Sequence, residues 1–181
     1  VYAFDASRQT KRISANVSGL GSTAAVRLND NLLNRTSLPE IRAVMAHELG
    51  HYVLNHAPKM LMQFGLLILF GLLFCHWAMR RLFARYGHRW GTQAVADVAG
   101  LPLLAAVFSV FMLAVTPAFN SIIRIQEIEA DRFGLNLARD PHGFAEVMLK
   151  LSDYRKPDPG RLEEVIFFHH PCARHRIHDA M

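Results

Sequence analysis

Two histidines and a glutamate have a spacing that suits metal chemistry: His47 and His51 are four residues apart, and Glu48 follows the first histidine directly. On a helix, side chains four residues apart lie on the same face, so both imidazoles can reach one ion. Zinc accepts neutral imidazole nitrogen readily. Glu48 would lie beside the ion without binding it, where a general base for an activated water belongs. The pattern predicts one zinc ion per chain and hydrolytic chemistry.

A catalytic zinc site also needs a third protein ligand and an open fourth position. Glu127 and Asp131 are four residues apart and share a helix face. One of them can bind zinc while the other accepts a hydrogen bond from a ligand histidine and fixes its tautomer. Glu129 lies between them and is expected on a solvated face.

A histidine- and arginine-rich segment lies near the end of the sequence. His170 and Arg176 can stabilise the oxyanion of a tetrahedral intermediate if they lie near the metal. Such a segment is also typical of a charged surface, so both interpretations stay open. Six further histidines are interpreted as surface, interfacial or packing residues: His56, His76, His88, His142, His175 and His178.

The elements that must position these residues follow from local patterns. Residues 1–33 are predicted as β structure, with a hairpin that turns at residues 19–22. A helix capped by Thr36 or Ser37 is predicted to carry the histidine pair and to end before Pro58. Further helices are predicted from about Ala118 to Ala138, after Asp140, and on both sides of Pro171, with a loop at 153–160.

Two long apolar runs separate the H-E-x-x-H pattern from the carboxylates. Residues 60–79 contain no Asp, Glu, Lys or Arg, and residues 98–123 form a second uncharged run that includes Pro102 and Pro117. Twenty helical residues span roughly 30 Å, the thickness of a hydrocarbon core. We therefore predict two transmembrane helices joined by a short arginine-rich connection; two buried core helices are the alternative. An antiparallel hairpin would return His51 and Glu127 to the same membrane surface.

The composition favours a membrane protein over a nucleic-acid binder. Of the 181 residues, 51% are hydrophobic and 19% are charged, and the mean hydropathy is +0.14. The net charge is +5, but several arginines cluster beside the first apolar run, and the sequence has no nucleic-acid-binding motif. Cys75 lies in an apolar run and Cys172 in a polar segment, so no disulfide is predicted between them.

Taken in order, these motifs resemble those of membrane gluzincins of the CAAX prenyl endopeptidase type and of the bacterial heat-shock membrane proteases. The matching positions are His47-Glu48-x-x-His51, the two apolar runs, Arg124-x-x-Glu127-x-x-Ala130-Asp131, and His170-Pro171 followed by Arg176-Ile177. The resemblance, closest to the CAAX type, implies a mainly α, zincin-like metalloprotease domain over residues 1–181. It would have a small N-terminal β-hairpin or sheet, an inserted transmembrane hairpin, and further membrane helices upstream in a longer multi-pass protein.

The resemblance also implies roles for individual residues. It assigns zinc binding to His47, His51 and Glu127, base catalysis to Glu48, support of a ligand to Asp131, and stabilisation of substrate or intermediate to His170 and Arg176. It implies that the strand Ser14, Ala15, Asn16 and Val17 pairs with the substrate as an added strand. The family usually has Asn-Ala-aromatic where this chain has Ser14-Ala15-Asn16, which changes the side-chain contact with the substrate.

The expected activity is zinc-dependent hydrolysis of peptide bonds in peptide or protein substrates, including prenylated and membrane-associated ones. One alternative is a protease that removes misfolded membrane proteins. The other is a non-catalytic metal-binding membrane module, which would not need Glu48. By the positive-inside rule, the arginines near residues 80–89 place the connection in the cytoplasm and therefore the site on the opposite side of the membrane. The resemblance implies instead that the site faces the cytoplasm.

Overall fold

The computed structural model describes residues 1–19, 21–91, 97–152 and 156–181. These residues form a mainly helical fold with a small N-terminal sheet, as predicted. The strands are β1 (Tyr2–Phe4), β2 (Ala15–Ser18) and β3 (Ala25–Asn29). The helices are α1 (Asp30–Arg35), α2 (Leu38–Val53), α3 (His56–Trp90), α4 (Leu101–Ala138), α5 (Pro141–Ser152), α6 (Arg161–Phe167) and α7 (Ala173–Ala180), with short 3₁₀ turns at Gly21–Thr23 and Val98–Gly100.

The sheet has the strand order β1-β3-β2, so β2 is an edge strand. β2 and β3 form the predicted antiparallel hairpin, with Ala15 opposite Leu28; Leu20 in its turn lies outside the described residues. β1 adds a parallel strand on the other side of β3. The buried face of the sheet, which includes Ile13 and Leu28, packs on Val44 of α2. The sheet is therefore fixed against the helix that carries the histidine pair.

The prediction of β structure up to residue 33 is wrong at its end, because Asp30–Arg35 is helical. The side chain of Asn29 caps this helix by accepting a hydrogen bond from the Leu32 N–H at 2.9 Å. An asparagine cap followed by an acidic residue is a sequence signal for a helix start. Leu32 of this helix is fully buried.

Helix α2 begins with a capping box, in which the Ser37 N–H donates to the Glu40 carboxylate at 2.6 Å. Glu40 is buried and forms a salt bridge of 2.7 Å with Lys150 of α5. The helix ends at Val53, and Asn55 then adopts a left-handed conformation with φ 55°. This tight turn lets α3 begin at once at His56, which confirms the predicted helix end before Pro58.

Small residues let α2 and α4 approach each other almost backbone to backbone. A Cβ added to Gly134 would lie 2.9 Å from the backbone nitrogen of His47, and one added to Gly50 would lie 3.1 Å from Ala130. Ala130 is completely buried in this contact. Any larger side chain at these positions would separate the helices. The contact therefore brings the Glu127–Asp131 segment against the histidines of α2.

Helices α3 and α4 form an antiparallel pair. Phe64 stacks on Phe119 with ring centroids 4.4 Å apart, and Phe74 on Phe111 at 5.5 Å. Helix α4 runs unbroken through Pro117. The Thr116 hydroxyl, next to the proline, donates to the carbonyl of Met112 at 2.7 Å, the i−4 contact that threonines make within helices. Both helices are long and apolar enough to cross a membrane, by length and composition.

The arginine-rich segment after residue 79 was predicted as a short connection, but most of it continues helix α3. Helix α3 continues past residue 79 to Trp90 and ends at Gly91, whose φ is 69°. Arg, Leu and Ala are favourable in helices, so the helix continues until a glycine can take the left-handed conformation that ends it. Residues 92–96 lie outside the described residues, as do 153–155 of the loop predicted at 153–160. Cys75 and Cys172 form no disulfide, as predicted, and both are buried, although the sequence placed Cys172 in a polar segment.

Candidate metal centre

The two motif histidines and Glu127 present three ligand atoms in a small triangle. The Nε2 atoms of His47 and His51 are 3.1 Å apart. The carboxylate oxygens of Glu127 lie 3.6 Å from His47 Nε2 and 3.5 Å from His51 Nε2. A tetrahedral zinc ion with bonds of about 2.0–2.1 Å needs ligand atoms roughly 3.3–3.4 Å apart. This donor set and its spacing therefore fit a zinc ion.

Asp131 lies behind the triangle and contacts the far side of one histidine. Its Oδ1 is 2.8 Å from His47 Nδ1, and its Oδ2 accepts a hydrogen bond of 2.7 Å from Arg176 Nε. Burial alone would raise the pKa of Asp131, but the hydrogen bonds from His47 and Arg176 and the positive charge of Arg176 lower it. The anionic Asp131 holds the proton on His47 Nδ1, which leaves Nε2 free as a ligand.

Glu48 lies in the same cleft, next to the triangle. Burial raises its pKa to about 7, and the nearby Glu127 carboxylate acts in the same direction. A general base works best when its pKa lies near the operating pH. Burial lowers the pKa of His51 to about 4, helped by the charges of His47 and His56. His51 is therefore a neutral imidazole at neutral pH, as metal binding requires.

His170 reaches the triangle from the loop between α6 and α7, with its Nε2 3.4 Å from a Glu127 oxygen. Arg124 of α4 anchors this loop by donating to the carbonyls of Phe168 at 2.6 Å and Glu164 at 3.0 Å. The Glu164 carboxylate accepts the Cys172 N–H at 2.8 Å and holds the other end of the loop. The sequence indicated Arg124 only as part of a motif, and the structure shows that it holds the loop that carries His170.

The metal centre opens into a cleft of about 490 Å³. Ser14 and Ala15 of the predicted substrate strand line this cleft, whereas Asn16 and Val17 continue the strand away from it. The cleft is lined by both apolar and polar side chains. Its lining includes Ile13, Val44, Met148, Leu151, His170 and Arg176.

Two contacts beside the candidate site were not predicted from the sequence. His56, interpreted as a surface, interfacial or packing residue, is 1% exposed and lies with its Nδ1 2.9 Å from His51 Nδ1. Glu129 is exposed, as expected, and its carboxylate also lies 3.1 Å from His56 Nε2. His56 follows His51 by five residues across the turn between α2 and α3, so helical spacing did not reveal the contact.

The structure has an H-E-x-x-H helix, a second helix that supplies a glutamate, and an edge strand beside them. This arrangement defines the class of H-E-x-x-H metallopeptidases. The sequence model of Peptidase family M48 matches residues 1–181. The chain belongs to this family, which confirms the predicted resemblance and the metallopeptidase class. Metallopeptidases use a metal cofactor, so family membership and the ligand triangle agree.

Individual relatives agree with this assignment. The chain is 31% identical over 182 residues to an uncharacterized metalloprotease, YhfN, of Bacillus subtilis, covering 99% of this chain and 43% of that protein. It is 30% identical over 142 residues to a CAAX prenyl protease 1 homolog of Dictyostelium discoideum, covering 76% of this chain and 32% of the relative. The chain thus spans less than half the length of these relatives.

A solved structure confirms the fold. The crystal structure of S. mikatae Ste24p superposes with a TM-score of 0.73 at 21% identity, covering 99% of this chain and 44% of that one. The agreement extends over the sheet, the histidine helix and both apolar helices. It supports the predicted fold, a metalloprotease domain into which a pair of long apolar helices is inserted.

Proposed function

We propose that this chain is the catalytic part of a zinc-dependent membrane endopeptidase of the CAAX prenyl protease type. The observation that carries the proposal is the triangle of His47, His51 and Glu127, with edges of 3.1 to 3.6 Å. A protein base, Glu48, lies in the same cleft. A site that only stored a metal would need the triangle but not the base.

The proposed reaction divides the work between the metal and Glu48. A bound zinc ion supplies Lewis acidity, which lowers the pKa of water towards about 7 and polarises a carbonyl. The Glu48 carboxylate takes the proton of the attacking water and gives it to the amine of the leaving peptide. The same carboxyl group thus acts first as the base and then as the acid.

The remaining residues position the substrate and the ligands. His170, beside Glu127, is placed to donate a hydrogen bond to the oxyanion that forms at the scissile carbonyl. Arg176 borders the cleft but also binds Asp131, so we assign its main effect to the support of His47. The segment Ser14–Val17, which includes the first three residues of the edge strand β2, would pair with the substrate backbone as an added strand.

The substrate class is tested with the full-length protein in detergent. We expect it to cleave a prenylated peptide that ends in a CAAX-type sequence faster than the same peptide without the prenyl group. The names of the relatives and the exposed apolar helices support this expectation. Equal cleavage of both peptides, together with degradation of an unfolded membrane protein, would support the quality-control alternative instead. Stoichiometric zinc without any cleavage would support the non-catalytic module.

We also propose that residues 60–79 and 98–123 cross the membrane, within a multi-pass protein whose active site faces the cytoplasm. Their helices carry large apolar side chains that are mostly exposed, such as Leu61 at 78% and Leu113 at 71%. A soluble monomer rarely exposes such an extensive apolar surface. The Gln126 amide of α4 donates to Gln63 of α3 at 2.8 Å and joins the two helices near the metal centre.

The membrane proposal predicts that the full-length protein stays with the membrane fraction after a carbonate wash. Cysteines introduced at Leu69 and Leu113 should be protected from a water-soluble maleimide until detergent is added. A cysteine introduced at the exposed Glu146 of α5 should react before detergent and serves as the control. Release by carbonate, or equal labelling at all three positions, contradicts the proposal.

A further inference from the structure

A row of hydrogen-bonded side chains lies behind His51, on the side away from the ligand triangle. The tight turn at Asn55 places His56, the first residue of α3, directly against the His51 ring. His56 Nδ1 is 2.9 Å from His51 Nδ1, and His56 Nε2 is 3.1 Å from the Glu129 carboxylate. Lys59 lies 3.6 Å from the same carboxylate. This row of side chains therefore connects the metal centre with a half-exposed glutamate on α4.

The positions of the hydrogens along this row follow from the contacts. His51 faces the triangle with Nε2, so that atom must keep its lone pair to bind a metal. In the neutral ring the hydrogen is then on Nδ1, and it points at His56 Nδ1, which must accept it. The His56 hydrogen is consequently on Nε2 and points at Glu129, whose ionised carboxylate has only acceptor atoms. One arrangement of hydrogens satisfies all three groups.

His47 has the same arrangement in a shorter form. Its Nε2 faces the triangle, and its Nδ1 lies 2.8 Å from the Asp131 carboxylate. Both ligand histidines thus present Nε2, and each Nδ1 is held by a carboxylate. For His47 the carboxylate contacts the ring directly, and for His51 it acts through a second histidine.

We propose that Glu129, acting through His56, fixes the tautomer and ring orientation of His51 and thereby sets the affinity of the metal site. The inference rests on the proposed function, because it takes His51 as a metal ligand. Glu129 and His56 are positioning residues, since neither contributes a ligand atom to the triangle. Outer partners of this kind typically change metal affinity by about 10–100-fold. Glu129 is 45% exposed and shares its charge with Lys59, so we expect about 10-fold for its removal.

The experiment measures zinc affinity in the full-length protein by competition with a chelator, together with the visible spectrum of the cobalt-substituted protein. Glu129→Ala should weaken zinc binding by about 10-fold and alter the cobalt spectrum. Glu129→Gln should recover most of the affinity, because its amide oxygen still accepts from His56. Glu146→Ala removes an exposed glutamate of α5 and should change neither readout.

A double variant distinguishes a relay, in which Glu129 acts on His51 only through His56, from two independent effects of Glu129 and His56. If Glu129 acts through His56, the double variant Glu129→Ala/His56→Ala should bind zinc no more weakly than His56→Ala alone. Additive losses overturn the relay, and so does an affinity of Glu129→Ala equal to that of Glu146→Ala. If His56→Ala does not fold, the comparison of Glu129→Ala with Glu129→Gln decides the question, with equal affinities counting against the relay.

The proposed function and the relay fail in different ways. If the wild-type protein holds no zinc, or if His51→Ala binds it as tightly as the wild type, the ligand assignment is wrong. If His51→Ala loses zinc while Glu129→Ala and His56→Ala keep wild-type affinity and spectrum, only the relay is wrong.

Discussion

Replacing Glu48 with glutamine should leave zinc bound and reduce peptide hydrolysis by about 10²–10⁴-fold, the usual contribution of a positioned acid–base group. Glutamine keeps the size of the side chain but cannot take a proton from water. Glu48 should not be needed for metal binding, because the triangle is made by His47, His51 and Glu127. The burial that raises the pKa of Glu48 should also make the neutral glutamine well tolerated in the fold.

The measurement is the turnover of a cleavable peptide by full-length protein whose zinc content is determined in the same sample. Glu146→Gln makes the same chemical change on an exposed face of α5 and should keep wild-type turnover. A Glu48→Gln variant that cleaves at the wild-type rate excludes Glu48 as the base. A variant that loses zinc as well as activity shows instead that Glu48 helps to bind the metal.

Replacing Glu127 with glutamine should remove zinc itself, and activity with it. The change substitutes a neutral amide for an anionic ligand whose oxygens lie 3.5 and 3.6 Å from the two histidine nitrogens. The loss of zinc affinity should be larger than the decrease of about 10–100-fold that follows when a hydrogen-bond partner of a ligand is removed. Wild-type protein dialysed against a moderate chelator should retain about one zinc per chain, and Glu127→Gln should retain almost none.

Asp131→Asn is the informative comparison for this result. It removes the charge that holds His47 Nδ1, so its loss of affinity should be measurable but smaller than that of Glu127→Gln. The reverse order, with Asp131→Asn losing zinc and Glu127→Gln retaining it, would assign the ligand to Asp131. Glu129→Gln is unsuitable as a neutral control, because Glu129 contacts His56.

Local periodicity accounts for what could be predicted correctly about the fold. The spacing of four residues placed His47 and His51 on one face because helix geometry depends only on the backbone. The capping signal at Ser37 and the helix boundary before Pro58 are likewise local. The prediction of β structure is wrong for the short helix α1, whose start depends on the side-chain cap at Asn29.

The order of the motifs along the chain was sufficient to identify the family. His47-Glu48-x-x-His51, two apolar runs and a later Glu127 and Asp131 occur in one sequence, and the family match over residues 1–181 confirms that resemblance. The length of the apolar runs, without a single charge, was enough to predict a pair of long helices, because helical rise per residue is constant.

The resemblance indicated Glu127 as the third ligand, but only the tertiary structure shows why Glu127 and not Asp131 lies with the two histidines. Glu127 and Asp131 share one helix face, so spacing alone could not choose between them. The choice depends on how far α4 slides along α2, and the contact of Gly134 with the His47 backbone sets that position. The relay from Glu129 through His56 to His51 likewise requires the turn at Asn55 and the packing of α4. Contacts between elements distant in sequence leave no periodic signal, so only the assembled fold reveals them.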